Sequence, residues 1–151
     1  MKRNFLRCTA LAAVCAIAPM LNSCLNEFGG NAAEFSPGIS SHRSNIQQII
    51  NTGNNRGYIT VSEAQSMLTS LQECAEEVDL MAENSRIAGN NSDVYGSSPY
   101  MNSTQRATNG MISLFLGNQQ RKAAENAEAL KQEVMNAASW FQSMKSAGRI
   151  R

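Results

Sequence analysis

The 151-residue chain has one histidine, one tryptophan, three prolines and only 6% aromatic residues, and its charges nearly cancel at a net +1. Each shortage removes a class of function. His42, the sole histidine, stands beside Arg43 with no serine or cysteine in a nucleophile-elbow setting, so a catalytic triad has nothing to assemble from. It reads as a solvent-exposed helix residue. Neither a phosphate-cradling glycine loop nor a Cys/His metal-ligand spacing occurs. The near balance of charge lacks the strong basic excess of a nucleic-acid binder. The sequence therefore predicts no enzyme, no cofactor, no metal site and no nucleic-acid partner.

A long apolar run is missing too. Cys8 to Leu21 is apolar apart from Thr9 and Pro19, but it falls short of the roughly 20 residues that span a bilayer. Lys2, Arg3 and Arg7 precede it, and the three parts together form an export signal. The run ends in Leu21-Asn22-Ser23-Cys24, an aliphatic residue three before a cysteine and a small one just before it. This end resembles the lipobox of bacterial lipoproteins, with Asn22 where Ala, Ser or Thr is commoner. The resemblance covers the first 24 residues. It implies that the Cys24 thiol carries diacylglycerol, that the chain is cut before it, and that the freed amine is open to acylation. Leu25 follows where Asp would suggest inner-membrane retention, so the resemblance favours the outer membrane. The competing reading is ordinary secretion with a cut near Ala32, which would release a soluble protein.

These features divide the chain into a signal over residues 1–23, a lipidated flexible tether over 24–39 and a helical domain over 40–151. Removing the signal leaves 128 residues, enough for one domain with a modest core. Ten Lys and Arg then face twelve Asp and Glu. Cys8 and Cys15 leave with the signal and Cys24 is taken by lipid, so Cys74 stands alone and no internal disulfide is available. Its helical position suits a small buried apolar residue; pairing with a second copy is the alternative.

The predicted fold is all-α: a small antiparallel helical bundle or coiled-coil hairpin after the tether. Leu25 to Ile39 lacks apolar periodicity, with Gly29-Gly30 and Pro37-Gly38 as breakers. A short helix over 41–51, capped by Ser40 or Ser41, puts Ile46, Ile49 and Ile50 on one face. Residues 53–57 read as a turn, and Thr60 with Glu63 makes a capping box. A second helix over 61–87 carries Val61, Ala64, Leu68, Leu71, Ala75, Val78 and Ala82 as a heptad seam, flanked by Met67, Cys74 and Met81. Glu73, Glu76, Glu77, Asp79 and Glu83 fall on its outer face. Residues 89–103 read as a long connection. The last helix, over 104–147 with a break suspected at Gly117-Asn118, repeats the rhythm at Leu116, Ala123, Ala127, Leu130, Val134, Ala137, Phe141 and Met144. Gly148 stops it. Its basic residues are placed to face the acidic middle helix.

Two stretches invite a sharper reading. Residues 52–63 resemble a degenerate EF-hand loop at Gly57, Ile59, Thr60 and Glu63, but Thr52 and Arg56 stand where calcium needs oxygen ligands of another kind, and a turn plus a capping box accounts for the same residues. Met111 to Leu116 is the most apolar segment after the signal, suited to core packing or to a membrane interface. The function that follows is a membrane-anchored envelope lipoprotein acting as a helical interaction or scaffolding module, held by the bilayer through acylated Cys24 and meeting a partner or itself through heptad faces. The alternative is a small-ligand or ion-binding lipoprotein that uses the 52–63 loop or a pocket opened by the seam alanines.

Overall fold

The computed structural model describes residues 31–97 and 102–151. The lipobox at Leu21, Asn22, Ser23 and Cys24, and the tether as far as Gly30, lie outside them. Three helices follow in order, α1 over Ile39–Arg56, α2 over Val61–Gly96 and α3 over Ser103–Ser146. The all-α expectation holds. At 1.5 Å per residue α2 and α3 run roughly 54 and 66 Å, so they form a long antiparallel hairpin against whose lower half the shorter α1 packs.

Helix ends follow local chemistry. Thr60 and Glu63 form the predicted capping box at the start of α2, and Asn102 with Gln105 forms a second one at α3. Gly148, at φ 65°, ends α3 in a Schellman turn: its N–H donates to Lys145 O and that of Arg149 donates to Met144 O, each at 3.0 Å. At α1 the expected serine cap is absent, because Gly38 takes the N-cap position with φ 99° and no side-chain bond. That helix also runs five residues past its expected end. Gly53 belongs to it, buried beneath Trp140, and Gly57 at φ 81° turns the chain instead.

The end of the rod where α2 begins and α3 finishes is closed by a link between the α1–α2 connector and the tail beyond α3. Ile59, wholly buried, donates its N–H to Arg149 O at 3.0 Å and accepts from Arg151 N at 2.9 Å, while Val61 N donates to Arg151 O at 2.9 Å. This parallel bridge ties the α1–α2 connector to the tail beyond α3.

The Glu63 carboxylate accepts from Thr60 N at 2.7 Å, from Thr60 Oγ1 at 3.1 Å and from the Arg56 guanidinium. The Thr60 backbone bond leads in holding its pKa below the usual carboxylate value, against the opposing pull of desolvation. Since the folded value lies below the unfolded one, the stability it adds is present above the unfolded pKa and is lost as pH falls through the folded pKa. Glu63→Gln should therefore flatten the acid limb of an unfolding-against-pH profile. An acid slope identical to that of the parent chain would count against this assignment.

The α3 row is as expected, with Leu116, Ala123, Ala127, Leu130, Ala137 and Met144 buried and no break at Gly117. On α2 part of the expected seam is buried, Ala64 and Leu71 with Val78 against them, but the centre of the stripe is the row expected to flank it. Met67, Cys74, Met81 and Ala88 are fully buried, whereas Val61 and Leu68, predicted at the seam, are 54% and 50% exposed. Ala75 and Ala82 are exposed with them. The cause lies across the groove. Ser70 and Glu77 are drawn inward because α1 and the segment before it supply partners: His42 Nδ1 lies 3.2 Å from Ser70 Oγ, Asn45 Nδ2 donates to the same oxygen at 2.9 Å, and Ser36 N donates to a Glu77 oxygen at 2.8 Å. Glu77 is thus buried rather than on the outer face, and His42 is half-buried and bonded rather than free in solvent.

Two further expectations are corrected. Residues 31–38 are held against the hairpin rather than forming free tether, with Ala32 packed on Ala88 and Ala123, Ala33 N donating to Gln119 at 3.3 Å and Asn126 donating to Ala33 O at 2.9 Å. Residues 89–96, read as loop, continue α2. Small side chains explain the second case. Gly89 lies under Gln120, and Ser92 and Ser113 exchange hydroxyl-to-carbonyl bonds at 2.9 Å in both directions, so the helices approach closely and pack over a polar stretch. One basic residue of α3 expected to face α2 is engaged otherwise: Lys131 pairs with Glu128 of its own helix.

Candidate functional site

A cleft opens where α1 meets α3, because α1 leans on α2 and touches α3 only along its edge. Its volume is about 340 Å³. The floor is apolar: Ile46 and Ile50 from α1, Cys74 from α2, and Leu130, Val134 and Ala137 from α3. Helical spacing places these groups, since Ile46 and Ile50 are four residues apart, as are Leu130 and Val134. Trp140 forms one end wall and is fixed twice, by its ring against Gly53 and by Nε1 donating to Asn54 Oδ1 at 2.9 Å.

The opposite end is charged. Arg43 grips Glu133 with two bonds, Nε to Oε2 at 2.8 Å and an Nη2 contact to Oε1 at 2.6 Å, and its guanidinium carbon lies 5.4 Å from the centre of the Phe35 ring. This fork joins α1 to α3 while both side chains keep solvent contact, so it stabilises by about 1 kcal/mol or less. Its larger consequence is geometric. Arg43, Glu133, Gln47 and Asn136 make a polar lip around an apolar floor, the arrangement that orients an amphipathic guest. The Cys74 thiol at the floor is fully buried, and burial pushes its pKa up over the weaker opposing pull of Arg43. It is held as a neutral packing group, as expected for the lone remaining thiol.

The other residues singled out by sequence have structural duties. Glu63 closes a capping box instead of a calcium loop, Thr52 to Arg56 are helical, and Glu77 holds Ser36. Glu83 pairs with Arg86. Among the described residues no group of three acidic, Cys or His side chains gathers as for a metal. Met111 to Leu116 divides: Leu116 is buried, but Met111 and Leu114 are 65% and 73% exposed and Phe115 is 37% exposed. The core reading therefore holds for one end of that segment only. No helix among the described residues is long and apolar enough to cross a membrane.

Sequence reasoning had marked Cys74 and the isoleucines but not the cleft itself. Arg43 and Glu133 are 90 residues apart, and no periodicity connects them. Compared with known proteins, the chain matches no family model, no curated protein and no solved structure. The fold itself defines an all-α rod with a side cleft.

Proposed function

We propose that this protein is a lipid-anchored interaction module of the bacterial envelope, tethered at Cys24 to the outer membrane and binding a protein partner through the α1–α3 face. The lipobox resemblance at Leu21 to Cys24 supports the anchor. The observation that supports the binding role is the cleft, whose apolar floor of about 340 Å³ stays open beside a charged lip. A buried apolar anchor inside a polar rim is how helical partners are commonly gripped. The one thiol in the cleft, Cys74, is kept neutral by burial and its one carboxylate, Glu133, is held by Arg43, which supports binding over catalysis.

The test is in-cell photo-crosslinking from Gln47 at the lip and from Leu68 on the opposite face, in the native lipoprotein and in Cys24→Ser. A discrete foreign partner captured from Gln47 alone, and lost with the anchor, supports the reading. Self-crosslinks from Gln47 would assign the face to homo-oligomerisation. Equal capture from both positions, or none from Gln47, would overturn it. The same cleft favours a second reading, a small apolar ligand with one polar end. That reading requires ligand-dependent rises in melting temperature that disappear when Ala137→Phe fills the floor.

A further inference from the structure

We propose that the end of the α2–α3 hairpin where the two helices join rests in an anionic lipid interface beside the anchor, giving the protein a second membrane contact and setting its orientation. The inference rests on the lipid-anchor reading above. Three observations carry it.

The first is where the apolar surface lies. Met111, Leu114 and Phe115 stand at i, i+3 and i+4, one face of α3, and are 65%, 73% and 37% exposed. The Ser92–Ser113 contact fixes the register of the antiparallel pair and sets Val94, 66% exposed, level with Met111. Elsewhere Val61, Leu68, Leu80 and Met135 are exposed at separated positions.

The second is where the chain arrives. Ala32 packs against Ala88 and Ala123, and Ala33 is held by Gln119 and Asn126, so Asn31 enters midway along the hairpin while α1 leads away toward the closed end. Six residues lie between Cys24 and Asn31, and the seven steps reach at most about 24 Å. Leu114 lies nine residues from Ala123 toward the joined end of the hairpin, roughly 14 Å along the axis. A bilayer that holds Cys24 is within reach of this apolar face.

The third is charge. From Ser103 to Ala124 the sequence of α3 contains Arg106, Arg121 and Lys122 and no acid, whereas its carboxylates begin at Glu125. The neighbouring end of α2 adds Asp93, and its Arg86 is paired with Glu83, so the net positive charge of this end comes from α3. Exposed apolar side chains within a basic surface are the composition that binds anionic headgroups. Lipid contact there would leave the cleft about 35 Å away along α3, judged from Leu114 to Ala137, clear of the headgroups.

The test reconstitutes the full lipidated protein in phosphatidylethanolamine–phosphatidylglycerol vesicles with an environment-sensitive fluorophore attached through Leu114→Cys, or through Leu68→Cys as control. Cys74 is fully buried and Cys24 acylated, so the new thiol alone is labelled. The expected result is blue-shifted emission at position 114 that spin-labelled lipid quenches, none at 68, and loss of the shift when Phe115→Glu and Met111→Glu are added. A water-like, unquenched signal at 114 in vesicle-bound protein overturns the inference and leaves the anchor intact. Failure to enter vesicles at all overturns the anchor reading and the inference with it. A blue shift at 114 in Cys24→Ser protein made without residues 1–23, and so without Cys8 and Cys15, in the absence of lipid would show the face covered by its own chain or a second copy, and would equally overturn it.

Discussion

Gly53→Val should destabilise the protein by about 2–3 kcal/mol, the range for overpacking a close-fitted site, and lower its melting temperature by roughly 10 °C. A Cβ on Gly53 would stand 2.7 and 2.8 Å from Cη2 and Cζ2 of the Trp140 ring and 2.9 Å from Cγ2 of Ile59. Neither neighbour yields easily. The Trp140 ring carries the bond to Asn54, and Ile59 is wholly buried under the parallel bridge to Ile150. Relief requires the indole to swing away, which opens the end wall of the cleft. The variant should therefore shift Trp140 fluorescence toward that of an exposed indole even in the folded state. Gly110→Ala supplies the opposite sign, since nothing lies within 4 Å of its Cβ and a helix-interior glycine costs about 0.5–1 kcal/mol relative to alanine. Chemical denaturation of the two variants beside the parent chain checks both. Equal stability of Gly53→Val and the parent would refute the close approach of α1 to α3 at this end.

What the sequence made legible were the features written in adjacent residues. Thr60 with Glu63, Gly148 and the α3 row from Leu116 to Met144 each depend on a few positions within one element, and each stands where periodicity and capping chemistry put it. What failed to show depends on a partner far along the chain. Glycine, asparagine and serine between Gly89 and Gly96 favour loop on propensity alone. The reciprocal Ser92–Ser113 bonds and the close fit of Gly89 to Gln120 override that preference. The segment 31–38 shows no period because three polar contacts, one alanine cluster and the single Phe35 ring hold it, not an apolar stripe. The cleft was half visible. Its apolar floor could be named residue by residue, but its polar lip arises only when α1 is laid beside α3.

The shifted centre of the α2 stripe gives the sharpest test, because two readings of the same hydrophobic residues predict opposite outcomes. Met81→Ala should cost about 2–5 kcal/mol, the usual loss when a fully buried methionine is truncated and the surroundings relax only in part. Leu68→Ala should cost about 0.5 kcal/mol or less, since Leu68 is half exposed and alanine favours the helix as strongly as leucine. Hydrophobicity alone supports the reverse order, with Leu68 in the seam and Met81 beside it. What decides is the polar complement: Ser70 and Glu77 lie on the side of α2 that meets α1 and Ser36, and their bonds turn the helix until the row of Met67, Cys74, Met81 and Ala88 occupies the centre. Removing that complement through Glu77→Leu should leave the row buried but detach Ser36, exposing the 31–38 segment to protease while α2 and α3 stay paired. Urea titration ranks the two truncations, and limited proteolysis reads the third variant. A loss at Leu68 equal to that at Met81 would mean that both rows are buried in solution, as they would be if the outer face of α2 met a second chain.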